Sequence, residues 1–315
     1  MNILKIIIIF FLFSACVVTA VSAQENEAFK DYESGFSYDT LALQVQLDRL
    51  NISCNCVDGV WGPRTETALM TWQLLKGLET NGIPTGFILE RLGGSSNVLT
   101  QCTVTEADQA EIVAIPPTWE GKSRLKKMGF ESIQEMMAER GHTSMRAVER
   151  LNPDLSWPDP PVGSVVVLPA CEVGKLRRVA ASVRISLGRR EITVFDYKGK
   201  LIALFPCSIA RNRSQRISGE IHVKNTAVNP NYLYDPQLFN SGGPETAKLS
   251  IPPGPNNPVG MAWIGLSLKG YGMHGTPSPE RIGEAASHGC FRLSNWNARK
   301  LIQLIEIGTP VMVED

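Results

Sequence analysis

The spacing of apolar positions changes along this chain, and each change marks a unit. Lys5 precedes an unbroken apolar run from Ile6 to Phe13, and the small residues Val21-Ser22-Ala23 follow. That order reads as a secretory leader over 1–23, cleaved before Gln24. Ser14, Thr19 and Ser22 interrupt the apolar stretch and leave it short for a spanning helix; an uncleaved anchor is the competing reading. Phe13-Ser14-Ala15-Cys16 opens another, a membrane lipoprotein with its lipid on Cys16. Glu25, Glu27, Asp31 and Glu33 make 24–36 acidic and without period, which reads as a linker.

From 37 to 93 the period is helical. Asp39 or Thr40 can cap a first helix with Leu43, Leu47 and Leu50 on one face. Pro63 suits the first position of a second helix, which carries Ala68, Leu69, Trp72 and Leu75 and ends at Gly77. Thr85 can cap a third, with Ile88, Leu89 and Leu92. Residues 100–171 read as strand, helix, helix, strand. A strand at Thr103-Val104-Thr105 precedes a helix capped by Ser132, carrying Ile133, Met136, Met137 and Arg140 and stopped by Gly141. A second helix starts at Thr143 or Ser144, carries Met145, Val148 and Leu151, and ends before Asn152-Pro153; Val165–Pro169 closes the unit. From 176 to 315 the period is two. Strands are expected over 179–186, 191–197, 201–208, 217–223, 261–266, 271–274, 291–293 and 310–313. One helix, Asn295 to Ile305 after Ser294, buries Ala298, Leu301, Ile302 and Ile305. The fold class is multidomain α+β: a three-helix module, a βααβ module, and a mainly β, sandwich-like domain.

A length of 315 residues agrees with two or three domains. With 31 basic and 31 acidic side chains the formal charge is zero, so nothing favours nucleic acid as a partner. The stretch 175–224 is locally basic, with Arg177, Arg178, Arg189, Arg190, Arg211 and Arg213 among its cations. It would attract carboxylates or anionic polymers, or simply be the solvated face of exposed strands. The proline-rich loop 252–260 cannot form regular structure and comes just before the last strands, where it can border a cleft.

Candidate chemistry concentrates between Tyr271 and Leu293. His274-Gly275 is followed by Ser287-His288-Gly289-Cys290, then Phe291-Arg292. A thiol is nucleophilic as thiolate, and a nearby imidazole is the usual means of forming it. Glycines at 275 and 289 let the backbone approach a reacting carbonyl. A lone cysteine among Cys54, Cys56, Cys102, Cys171 and Cys207 would normally be a buried thiol or half of a disulfide, since export permits disulfides. The compound motif reverses that reading for Cys290. A zinc site at His274, His288 and Cys290 lacks a conventionally spaced fourth ligand, and His142 and His222 read as packing residues, so neither a metal nor another cofactor is expected.

The motif resembles the signature of the L,D-transpeptidase (YkuD-type) catalytic domain over roughly the last 140 residues. The resemblance implies a metal-free cysteine acyltransferase acting on peptidoglycan stem peptides, with Cys290 as nucleophile and His274 as base. Gly275 would orient His274 through its carbonyl, and Gly289 with Cys290 would supply oxyanion donors. Arg292 would hold a substrate carboxylate or brace the cysteine loop, with Ser287 and His288 shaping that loop; His288 is the rival base. The same acyl-enzyme resolved by water gives an L,D-carboxypeptidase, and resolved by another amine it attaches a protein to the wall. A non-catalytic wall-binding protein is the alternative from another class. Asp58-Gly59-Val60-Trp61-Gly62-Pro63-Arg64-Thr65 resembles the loop of a type 1 peptidoglycan-binding module, and 100–171 resembles a LysM-like glycan-binding module. Side-by-side terminal strands in that fold make a Cys102–Cys171 disulfide attractive; closing about 70 residues, it would add roughly 4 kcal/mol. The implied place is periplasm or cell wall, with peptidoglycan stem peptides and glycan as partners and no protein partner required.

Overall fold

The computed structural model describes residues 27–30, 32–171, 176–177, 179–238, 248–287 and 289–315. The expected leader, 1–23, lies outside the described residues. No described helix is long and apolar enough to cross a membrane.

The first module packs α1 (Tyr38–Arg49), α2 (Pro63–Leu75) and α3 (Gly86–Leu92) around Leu41, Leu43, Leu47, Leu69 and Trp72. Ser37, not Asp39 or Thr40, caps α1, because its hydroxyl accepts from the Thr40 N–H at 3.4 Å. Leu50 is the residue after the helix and is exposed, unlike Leu43 and Leu47. Pro63 begins α2 and Thr85 caps α3 as expected. The acidic stretch before α1 is not free of the module. Phe29 is buried in this core, Tyr32 meets Trp61 edge to face at 4.9 Å, and Phe36 bridges to Val60. Three aromatics, rather than the acids between them, decide its placement.

The middle module pairs β1 (Leu99–Thr103) with β2 (Val165–Pro169). Between them come the short α4 (Glu106–Gln109) and α5 (Trp119–Ser123), then α6 (Ile133–Arg140) and α7 (Met145–Leu151), capped by Ser132 and Ser144. β1 starts earlier than the expected Thr103, and Met145 is exposed. The strands are antiparallel, so Cys102 sits opposite Val166 and not beside Cys171. The expected Cys102–Cys171 disulfide is absent, and both thiols are free. Arg140 donates to Cys102 Sγ at 3.3 Å, while Cys171 is buried in the core of the first module.

The third domain orders eight strands as β13-β11-β10-β7-β14-β3-β4-β5. In chain order these are β3 (Ala180–Ser186), β4 (Glu191–Asp196), β5 (Leu201–Pro206), β7 (Gly219–Val228), β10 (Ala262–Leu266), β11 (Gly272–His274), β13 (Phe291–Arg292) and β14 (Pro310–Glu314). The expected domain is mainly β, and among the described residues these eight strands follow one hydrogen-bonded order. The long β7 pairs with β14 through its first half and with β10 through its second, so it belongs to both ends. Val183, Ile192 and Phe205 from one end meet Ile264, Met273 and Phe291 from the other in a single core, with Leu301 of α8 (Asn295–Leu304). Four strands of two or three residues lie outside the expectation: β6 (Ile209–Ala210) beside β12 (Ala285–Ser287), and β8 (Tyr232–Tyr234) beside β9 (Leu249–Ile251).

The modules share buried polar contacts. Residues 51–53 run along β5: the Leu204 N–H donates to the Asn51 carbonyl and the Ser53 N–H to the Leu204 carbonyl, each at 2.9 Å. This covers an otherwise open sheet edge. Lys300 Nζ of α8 donates to Asp48 Oδ2 of α1 at 2.7 Å, and His142 Nδ1 of the middle module lies 2.9 Å from the same oxygen. Asp48, His142 and Cys171 hold metal-ligand atoms within 4.8 Å of one another, but the Lys300 ammonium already supplies the cation there.

Candidate active site

The site is built on the β11–β13 end of the sheet. These strands are parallel, with Met273 opposite Phe291 and His274 opposite Arg292. Met273 and Phe291 point into the core. By the two-residue alternation of a strand, His274 and Arg292 share the other face. Cys290 lies two residues before Arg292, immediately ahead of β13. On the neighbouring strand Trp263 is registered against His274, and the two rings stack at 5.7 Å.

His274 is 5 % exposed. Its Nδ1 lies 2.7 Å from the Gly275 carbonyl oxygen. A carbonyl only accepts, so Nδ1 carries the proton and Nε2 keeps its lone pair. Burial drives the ring to about 4, with the Arg292 charge adding to the fall and the Gly275 bond opposing it. The Cys290 thiol is pushed up by burial, against the Gly272 N–H and the Arg292 charge, which favour the thiolate. Its Sγ donates weakly to the Gly270 carbonyl at 3.5 Å. The resting pair is therefore neutral imidazole and neutral thiol.

The loop that delivers Cys290 is held from several sides. Gly289 has φ +151°, and a Cβ there would also stand 3.2 Å from the Tyr271 ring, so the motif needs glycine. Ser208 exchanges backbone hydrogen bonds with Arg292 at 2.8 and 3.0 Å. The Ser208 hydroxyl donates to the Arg281 carbonyl and accepts from the Gly283 N–H. Asn55 of the first module donates to the Pro279 carbonyl at 2.8 Å, and Arg190 donates to the Gly283 carbonyl. On the histidine side, Asn295 at the start of α8 accepts from the Met261 N–H at 3.1 Å and donates to the Pro255 carbonyl at 3.1 Å. Ser287 lies in β12, and His288 lies outside the described residues. His222 is exposed on β7.

The structure thus brings His274, Gly275, Gly289, Cys290 and Arg292 to one end of the sheet. Sequence reasoning missed Trp263, Ser208, Asn295 and Tyr232. Tyr232, half-buried in β8 a few residues beyond the end of β7, has its phenol raised to about 12, first by burial. The alternation Tyr232-Leu233-Tyr234 was the one available signal.

Residues 180–313 match the family described as the L,D-transpeptidase catalytic domain, YkuD, from the start of β3 into β14. This chain carries a YkuD-type L,D-transpeptidase catalytic domain. Residues 37–92, the three-helix module, match the family described as "Putative peptidoglycan binding domain". Among curated relatives, "Putative L,D-transpeptidase YkuD" of Bacillus licheniformis is 25% identical over 57% of this chain and 92% of its own length. Its Bacillus subtilis namesake is 27% identical over 42% of this chain and 64% of its own length. "Putative L,D-transpeptidase YqjB" of Bacillus subtilis is 42% identical, but over 19% of this chain and 38% of its own length. A solved L,D-transpeptidase from Xylanimonas cellulosilytica covers 89% of this chain and 94% of its own at 16% identity, with a TM-score of 0.38. The family match over residues 180–313 covers the eight-stranded domain from β3 into β14, and the motif residues lie within it.

Proposed function

We propose that the chain is a peptidoglycan L,D-transpeptidase working through a Cys290 thioester. The observation that carries this reading is the His274 Nδ1 to Gly275 carbonyl contact of 2.7 Å, which leaves Nε2 with its lone pair at the end of the sheet where Cys290 precedes β13. Cys290 Sγ attacks the carbonyl of an L-residue in a stem tetrapeptide, and its proton passes to His274 Nε2. The Gly289 and Cys290 N–H groups face the oxyanion, and loss of such a donor typically costs about a hundredfold or more. Collapse breaks the peptide bond to the terminal D-alanine, whose amine leaves with the proton from His274. An amine of a second stem then attacks the thioester, His274 takes its proton, and the thiol is restored. Arg292 holds a carboxylate of the stem by its planar fork.

The three-helix module keeps the enzyme on peptidoglycan, and the leader-like residues 1–23 fit export to the compartment where the wall lies. The test is mass spectrometry of the mature chain, residues 24–315, incubated with disaccharide-tetrapeptides beside Cys290→Ala. A cross-linked dimer one D-alanine lighter than two monomers, absent in the variant, is expected. Tripeptide alone would make the enzyme a carboxypeptidase under those conditions. No thiol-dependent product from folded, reduced protein would sink the reading and favour a wall-binding protein.

A further inference from the structure

The middle module departs from a plain strand-helix-helix-strand unit between β1 and α6, and the departure lies against the transpeptidase domain. Ile115, Trp119, Leu125 and Met128 form a separate small core with Tyr234 and Ile251 of the β8–β9 pair. Trp119 of α5 stacks on Tyr234 with ring centroids 4.3 Å apart and planes 13° apart, and lies 6.0 Å from the Tyr232 ring. Lys122 Nζ stands 5.0 Å from the centre of the Trp119 ring. Aromatic stacking of this kind adds to what burial alone contributes.

Backbone contacts fix the same seam. The Met128 N–H donates to the Pro253 carbonyl at 2.8 Å, and the Asn256 N–H donates to the Met128 carbonyl at 3.1 Å. Asn256 Nδ2 also donates to the Gly129 carbonyl at 2.9 Å and to Glu135 Oε1 at 2.7 Å. Gly254 has φ +143°, and a Cβ there would fall 2.1 Å from the Met128 carbonyl oxygen. The proline-rich loop between β9 and β10 is thus moulded on the middle module.

The braced strands stand beside the chemistry. β7 leaves the sheet at Val228, which is registered against Ala262, next to the Trp263 that stacks on His274. The Asn229 N–H donates to the Met261 carbonyl at 2.9 Å, and Tyr232 begins β8 a few residues on. The half-buried Tyr232 ring therefore faces Trp119 of the middle module, on a strand that follows directly from the chain paired beside Trp263 and His274.

We propose that the middle module is a working part of the active site: Trp119, with Met128, is a positioning element that holds β8–β9 so that Tyr232 forms the cleft wall against the bound donor peptide. The proposal rests on the transpeptidase reading for its substrate, but the bracing does not. Three measurements on the mature chain separate the two. Hydrogen exchange of the β8–β9 amides reads the brace directly, and Trp119→Ala is expected to speed it at least tenfold while Trp119→Phe restores most of the protection. The kcat/KM for disaccharide-tetrapeptide is expected to fall about tenfold or more in Trp119→Ala, and Trp119→Ala/Tyr232→Ala is expected to be no worse than Tyr232→Ala alone. Alkylation of Cys290 by iodoacetamide needs the thiol and its base but no cleft wall, and is expected to change less than twofold. Unchanged exchange in Trp119→Ala overturns the brace whether or not the wild type turns over. A faster exchange with unchanged kcat/KM, or a proportional loss of alkylation, overturns the positioning role. An inactive wild type with the expected exchange result would count against the transpeptidase reading alone.

Discussion

Burial sets both groups proposed to react, the His274 ring and the Cys290 thiol, against their charged forms. His274 falls to about 4, and the Cys290 thiol rises. A pre-formed thiolate–imidazolium pair would need the opposite shifts, so in the proposed reaction the proton moves from sulfur to Nε2 as the carbonyl is attacked. The acid limb of kcat/KM is expected near pH 4, where His274 gains its proton; a midpoint at the ordinary histidine value would show that the ring is not buried in the working enzyme. The same shift enters stability. Between about pH 6.5 and 4 the unfolded chain takes a proton at this position that the folded chain refuses, so stability falls as pH falls through that window. The full effect is about 3 kcal/mol from the shift of 6.5 to about 4. Urea unfolding from pH 7 to 4 checks it: the wild type should lose more stability than His274→Gln. The residues of this pair were legible because the motif holds them close in sequence. Tyr232 and Trp119 were not, because each comes from a short element whose neighbours in space are far away in sequence.

α8 shows where sequence periodicity stops at the level of an element. Its apolar stripe, Ala298, Leu301 and Ile302, faces the sheet core as its spacing required. Its other face also carries Asn295, Trp296, Asn297 and Lys300, all buried. A polar face of this kind reads as solvent-exposed until the other modules are in place. Asn297 Nδ2 donates to Ser53 Oγ at 2.9 Å, and Trp296 Nε1 to the Asn55 carbonyl at 3.3 Å. Ser294 precedes α8 but its side chain makes no capping hydrogen bond; Asn295 does the organising instead, through Met261 and Pro255. Asn295→Ala strands the Met261 N–H and the Pro255 carbonyl, and should cost about 1–3 kcal/mol for the first such group left unpaired. Because Met261 leads into β10, which registers on His274, kcat should fall with it. Denaturant midpoint and turnover measured together check this: normal stability and normal kcat would show that the bonds are dispensable. The antiparallel register of β1 and β2 was equally invisible, and it is what separates Cys102 from Cys171.

At the scale of the whole molecule, the three units meet at one buried charge. Asp48 comes from the peptidoglycan-binding module, His142 from the middle module and Lys300 from the transpeptidase domain, and His142 also stacks on Trp296 at 5.5 Å. Burial by itself would raise the Asp48 carboxyl, but the Lys300 and His142 charges and hydrogen bonds outweigh it and hold it at about 2. Its contribution is complete above the ordinary value of 3.8 and is lost as pH falls through about 2, roughly 2 kcal/mol in all. Removing one partner is the harsher change. Lys300→Met leaves Asp48 buried with a single cationic candidate beside it, and breaking a buried pair in this way typically costs about 3–5 kcal/mol. Asp48→Leu/Lys300→Met removes both charges and should recover much of that loss, since an apolar pair needs no compensation. The units are also joined by the strand-like contact of residues 51–53 with β5 and by the Met128 seam, so the junction decides cooperativity rather than docking alone. Scanning calorimetry should therefore show one transition for the wild type and an earlier, separate melting of the first module in Lys300→Met. A single transition with an unshifted midpoint in Lys300→Met would mean that the apolar contacts around Trp296 couple the modules without the charge.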